Sequence, residues 1–227
     1  MVQKTVHLPE SASQTAGPYV HIGLMPSYTG NGQIYTQEVG LSPIAEGVHG
    51  EIVTITGSVF DGTGWALRDA MIETWQADAR GHHAGDAEAD PAVSGFSRIA
   101  ADPESGLFTL RTVKPGRVRA RSGVLQAPHI SLWIVARGIN IGLQTRIYFE
   151  DEDNSSDPLL ARIEQAPRVQ TAWRLQVRVS MPRGQGTALS RRVARGQDQA
   201  ARDMAGLLTA LLLLAEVDTE HSISPES

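Results

Sequence analysis

The sequence predicts an all-β protein: a two-sheet β-sandwich with an extended N-terminal arm and a divergent, helical C-terminal tail. Two observations carry this. Six short segments rich in β-branched and alternating apolar residues recur between residues 51 and 180, and Gly, Pro and Asp turn signals separate them. Six short strands cannot leave both faces of one sheet in water, so they predict two packed sheets.

The elements follow in chain order. Residues 1–50 are rich in Gly, Pro and Ser with little periodicity, and read as an extended arm with turns and no helix. Residues 51–180 hold the sandwich. Glu51–Phe60 is the first strand, closed by the turn pair Asp61-Gly62, and Ala70–Trp75 is the second. Gly106–Val113 alternates and stops at Lys114-Pro115-Gly116. His129–Arg137, Leu143–Phe149 and Trp173–Val179 complete the set.

Residues 181–227 differ in composition. From Arg174 to Gly206 there are seven arginines against Asp198 and Asp203, whereas from Leu207 onward there are four acids and no Lys or Arg. Ala, Leu, Arg, Gln and Met dominate residues 187–215, which read as helix by propensity. The basic run reads as a solvated helical face, because it lacks the interleaved aromatics of a nucleic-acid site.

Composition narrows the function classes. At 227 residues with 41% hydrophobic and 20% charged side chains, the chain has the make-up of a soluble globular protein. Its net charge of −5 argues against a nucleic-acid partner. With no cysteine, there are no disulfides, thiolate metal sites or cysteine nucleophile, which suits a cytoplasmic location. The first residues lack the apolar core of a secretory signal. The apolar run Leu207–Ala215 is far short of the ~20 residues that span a bilayer, so no membrane partner is expected.

His82, His83 and His129 are the metal-ligating candidates. Neighbouring histidines on a strand point to opposite faces, so His82 and His83 cannot both chelate unless they lie on a loop; they read as a surface pair, and His129 reads as a core histidine.

Several stretches, in order over about residues 10–170, carry a resemblance: SQTAGPYVHIG at Ser13–Gly23, GSVFDG at Gly57–Gly62, Arg68-Asp69-Ala70, ETWQADA at Glu73–Ala79, RTVKPG at Arg111–Gly116, APHIS at Ala127–Ser131 and ARGINIGLQTRIYFED at Ala136–Asp151. The chain resembles the intradiol ring-cleavage dioxygenase family, and within it the non-catalytic alpha chains of enzymes that open protocatechuate. The resemblance implies a β-sandwich and Fe(III) held by a partner beta subunit, not by this chain. It also implies protocatechuate and O2 as substrates, a higher-order alpha–beta oligomer, and a place in aromatic-compound catabolism by the β-ketoadipate pathway.

In that family the catalytic chain holds ferric iron with two tyrosines and two histidines, donors that suit the oxidised metal. By resemblance, the first tyrosine position falls at His83, after Gly81-His82, and the second at Val118, after Lys114-Pro115-Gly116-Arg117. The His-x-His pair falls at His129 and Ser131, with Gln126 at the preceding cationic position. These are vestigial ligand positions, and none of Tyr19, Tyr28, Tyr35 and Tyr148 lies at one of them. No catalytic residue and no metal site is therefore expected on this chain.

The resemblance instead assigns substrate contacts to Thr15, Ala16, Gly17, Pro18 and Tyr19 in the arm, and to Arg137. Gly17-Pro18 suits a backbone that approaches a flat ring closely. Tyr19 offers a hydroxyl, and Arg137 is a natural partner for a carboxylate. The alternative is a purely structural assembly subunit, with Arg137 in an ion pair at a strand end. Asp69, Glu73 and Asp78 read as structural, and Trp75 and Trp133 as core or interface anchors.

Overall fold

The computed structural model describes residues 14–17, 19–32, 34–149, 151–164, 173–180, 194–196 and 211–218. All six expected strands are present: β1 (Ile52–Phe60), β2 (Met71–Gln76), β4 (Leu107–Val113), β7 (His129–Val135), β8 (Leu143–Phe149) and β9 (Trp173–Ser180). Five more join them: β3 (Phe96–Ala100), β5 (Val118–Arg119), β6 (Leu125–Gln126), β10 (Ala194–Gly196) and β11 (Leu211–Asp218).

One sheet runs β3-β2-β7-β8 and the other β9-β1-β4, all antiparallel; β11 pairs in parallel with both β8 and β9 and joins them along one edge. β10 adds to β9, and β5-β6 form a separate ribbon.

The two sheets face each other across one core, as alternation requires. β1 contributes Val53, Ile55 and Val59, β4 contributes Phe108 and Leu110, and the facing sheet contributes residues such as Ile72, Ile130, Leu132 and Ile147. A polar bridge crosses between the sheets. The Thr112 hydroxyl donates to Gln76 Oε1 at 2.8 Å, and Gln76 Nε2 donates to the Val113 carbonyl at 2.8 Å. Both side chains are buried, so each must find its partner inside the protein.

Two sequence expectations are corrected. The arm contains a short helix, α1 (Tyr19–Leu24). Packing imposes it rather than propensity: Val20 sits against Met25, Met71 and Val135, and the Val20 N–H reaches the Gly17 carbonyl at 3.1 Å. The helix expected over 187–215 is replaced at Ala194–Gly196 and Leu211–Asp218 by strands. β11 lies between two sheet edges that both offer backbone partners, and that pairing outweighs the helical preference of a Leu- and Ala-rich run. The rest of 181–227 lies outside the described residues.

A second helix, α2 (Pro158–Glu164), begins at Asp157. Asp157 Oδ1 accepts the N–H groups of Leu159 and Leu160, and its Oδ2 accepts the Ala127 N–H at 2.9 Å, which fastens the helix to the approach to β7. Among the described residues, no helix is long and apolar enough to cross a membrane.

Candidate functional site

Two regions gather the candidate residues. The first is the outer face of the β3-β2-β7-β8 sheet. Along β7, Ile130, Leu132 and Ile134 turn inward, which places His129, Ser131 and Trp133 on the opposite face. Trp75 on β2 shares that face and stands opposite Ser131. Trp75 and Trp133 are 43% and 36% exposed, so neither is a core residue.

The positions that the resemblance matches to metal ligands do not offer the donors of a ferric cage. His129 is buried, with Nδ1 held 2.8 Å from the Ala127 carbonyl. Burial, helped by the nearby Arg146 charge, pulls its pKa down to about 4, so it is a neutral imidazole at ordinary pH. Val118 offers no donor atom. Ser131 offers only a hydroxyl.

His82 and His83 lie in a loop. Loop geometry separates them: His82 Nε2 faces Glu88 at 3.4 Å, while His83 lies parallel on Trp75 with ring centroids 5.7 Å apart. His83 Nδ1 is buried without a hydrogen-bond partner.

The tyrosine of this region is Tyr148, on β8 and away from the family positions. Its hydroxyl lies 3.3 Å from Asp157 Oδ1 and 3.4 Å from Arg146 Nη1. Burial raises its pKa to about 12, which keeps the phenol protonated. Ferric iron asks for phenolate donors. A protonated Tyr148, a valine, a serine and His129 do not fit it, and no three His, Asp or Glu side chains converge among the described residues.

The second region is a cavity of about 480 Å³ at the arm, lined by Gly17, His21, Tyr28, Arg68, Asp69 and Arg137 among others. Thr15 fastens the arm to the end of β7. Its Oγ1 donates to the Ala136 carbonyl at 3.3 Å and accepts the Gly138 N–H at 2.7 Å. Tyr28 donates its hydroxyl to the Ala101 carbonyl at 3.1 Å, and Arg98 Nη1 reaches the Leu24 carbonyl at 3.1 Å. These bonds hold an otherwise irregular segment against the sandwich.

Of the expected substrate contacts, Gly17 and Arg137 line this cavity, while Thr15 bonds to Ala136 and Gly138 on either side of Arg137. Ala16 packs toward Met25, Met71 and Val135. Tyr19 is 82% exposed and does not line the cavity. Pro18 lies outside the described residues.

Other lining residues went unmarked as site residues in the sequence, among them His21, Tyr28 and Asp69. His21 and Tyr28 pack ring against ring at 5.6 Å, and burial lowers the His21 pKa. Asp69 holds Arg137: Oδ2 accepts from Arg137 Nε at 2.6 Å and from its backbone N–H at 3.2 Å. Arg68-Asp69 was one of the resembling stretches, so the signal existed without its role.

The sandwich defines a fold class, and a family model described as Dioxygenase matches residues 24–183. The chain belongs to the intradiol dioxygenase family. It is similar to the protocatechuate 3,4-dioxygenase alpha chain of Pseudomonas putida, 45% identical over 166 residues (72% of this chain, 82% of that one). It is also similar to the alpha chain of the same name from Burkholderia cepacia, 38% identical over 160 residues (67% and 77%). The beta chain from Burkholderia cepacia is more distant, 32% identical over 119 residues (49% and 48%).

Proposed function

We propose that this chain is the alpha subunit of an alpha–beta protocatechuate 3,4-dioxygenase. In this reading a beta subunit holds the Fe(III), and this chain supplies one wall of the active site. The complex cleaves protocatechuate with O2 between its two hydroxyl-bearing carbons, giving 3-carboxy-cis,cis-muconate, in the cytoplasm.

One observation carries the reading. Gly17 and Arg137 line a single cavity, and Thr15 ties the arm to the residues on either side of Arg137, on a chain whose own cage positions offer no phenolate. The wall's work is positional. Gly17 lets backbone approach a flat ring without a side chain between them. Arg137, 74% exposed and aimed by Asp69, presents a guanidinium that matches an aromatic carboxylate or nearby negative charge. Closing the wall against a partner excludes water, which strengthens those contacts. Pockets of this kind favour subunit junctions.

A second reading, a purely structural assembly subunit, draws on the Asp69–Arg137 ion pair, which could serve the fold alone. Co-expression with the beta partner separates the two, with size measured by light scattering and oxygen uptake followed on protocatechuate. In complexes of unchanged size, Arg137→Ala should lower kcat/KM by at least about tenfold, the scale of one lost charge-assisted contact. Unchanged kinetics in an intact complex would establish the structural reading.

A further inference from the structure

One wall residue of the arm cavity can change its own charge. The chain holds three asparagines, Asn31, Asn140 and Asn154, and of these Asn31 alone is followed by glycine. Asn31 and Gly32 are both exposed in the turn after α1, and Asn31 lines the cavity together with Arg68 and Arg137. The Asn31 N–H donates to the Pro26 carbonyl at 2.7 Å, which fixes the turn. Gly32 packs on Ser27, where a Cβ would lie 2.9 Å from the hydroxyl, so the turn favours glycine here.

An asparagine before glycine is open to attack by the next peptide nitrogen, because no side chain on that residue shields it. The Gly32 nitrogen bonds to Asn31 Cγ and gives up its proton. The Cγ–Nδ2 bond breaks, Nδ2 takes up a proton, and ammonia leaves. Water then opens the five-membered imide at either carbonyl, giving aspartate or isoaspartate. The step needs no oxidant, reductant or second protein.

The structure separates Asn31 from its alternatives. Its Nδ2 donates to Thr29 Oγ1 at 3.2 Å and to the Thr29 carbonyl at 3.3 Å, long contacts on an exposed turn. Asn154 is half-buried and tied more tightly, its Nδ2 donating to the Phe149 carbonyl at 2.7 Å and to the Glu152 carbonyl at 3.1 Å. Asn140 precedes Ile141, whose branched side chain crowds the attacking nitrogen. The related acid pair, Asp61-Gly62, is locked. Asp61 Oδ1 accepts from Thr63 Oγ1 at 2.7 Å and from the Thr63 and Trp65 N–H groups at 2.9 Å. These bonds hold its carboxyl ionised, and a carboxylate resists attack.

We propose that Asn31 is a self-modification site: it deamidates through Gly32, and the carboxylate formed weakens the hold of the arm cavity on anions. The modification concerns the chain alone, whereas its effect on anions rests on the function proposed above. The new charge joins Asp69 on a wall whose cations are Arg68 and Arg137, so it offsets them and repels an incoming carboxylate.

The full wild-type chain is incubated in mildly alkaline buffer and mapped by peptide mass spectrometry, with aspartate and isoaspartate separated by chromatography. Asn31 should convert at least about tenfold faster than Asn140 or Asn154, and Asp61 should not isomerise. In alpha–beta complexes of unchanged size, Asn31→Asp should raise KM for protocatechuate by about threefold or more with kcat nearly kept, and the difference should shrink with added salt.

An unmodified Asn31, or conversion of Asn140 or Asn154 at the same rate, overturns the modification. Unchanged KM in Asn31→Asp complexes, while Arg137→Ala still lowers kcat/KM, overturns the charge effect and leaves the proposed function standing. A silent Arg137→Ala overturns that function and the charge effect with it, whatever the mass spectra show.

Discussion

Asp69 and Arg137 meet across neighbouring strand ends, Asp69 just before β2 and Arg137 just after β7, with Oδ2 2.6 Å from Nε. Because Arg137 is largely exposed, water screens the pair and it contributes little to stability, ~0–1 kcal/mol. Its effect is on orientation. In the alpha–beta complex, Asp69→Asn should leave the melting temperature nearly unchanged while lowering kcat/KM for protocatechuate. The double variant Asp69→Asn/Arg137→Ala should be no worse than Arg137→Ala alone, since both changes remove one function. Additive losses in a steady-state oxygen-uptake cycle would contradict this.

The arm is held by few bonds, and Thr15 makes two of them. Thr15→Val keeps the shape and removes both, leaving the Gly138 N–H without its acceptor. The expected cost is about 1 kcal/mol, felt locally rather than globally. Hydrogen exchange should speed up at amides of α1 while those of β1 and β7 stay protected.

His129 makes stability depend on pH. Its folded-state pKa of about 4 lies below the ordinary 6.5, so between those values the unfolded chain binds a proton that the folded chain does not. Stability from this group is complete above pH ~6.5 and declines as pH falls toward ~4, by on the order of 3 kcal/mol at most. Urea unfolding of His129→Gln at pH 7.5 and 4.5 should therefore show a smaller loss on acidification than the wild type. Equal losses would mean that His129 is not held neutral.

The loop carrying His82 and His83 presses on the turn at Lys114–Arg117. Gly81 adopts φ +91°, and a Cβ there would collide with the Arg117 carbonyl. Beneath it, Asp78 accepts backbone N–H groups from Arg80, His82 and Asp90 at 2.8–2.9 Å. These bonds overcome the cost of burial and hold its pKa low. Gly81→Ala and Asp78→Ala should each destabilise the chain by roughly 2 kcal/mol or more, through backbone strain and orphaned donors respectively. Chemical denaturation measures both.

Local pattern made the six main strands legible, because inward and outward residues alternate in the sequence as they do in the sheets. β3 escaped notice since Phe96–Ala100 is short and polar in part, and its place depends on pairing with β2. α1 and β11 were misread for the same reason: packing and edge pairing, both long-range, overrule local preference there. That Val118 and Ser131 offer neither phenolate nor imidazole is legible from residue identity alone. The joining of Thr15 to Gly138 spans 123 residues and that of Asp69 to Arg137 spans 68, and no spacing rule encodes either.

The account stands most directly on the metal content and visible spectrum of the full chain purified alone, measured beside its complex with the beta subunit. It predicts no stoichiometric iron and no tyrosinate-to-iron absorption in the lone chain, with both present in the complex. A coloured lone chain carrying one iron and consuming O2 with protocatechuate would contradict it.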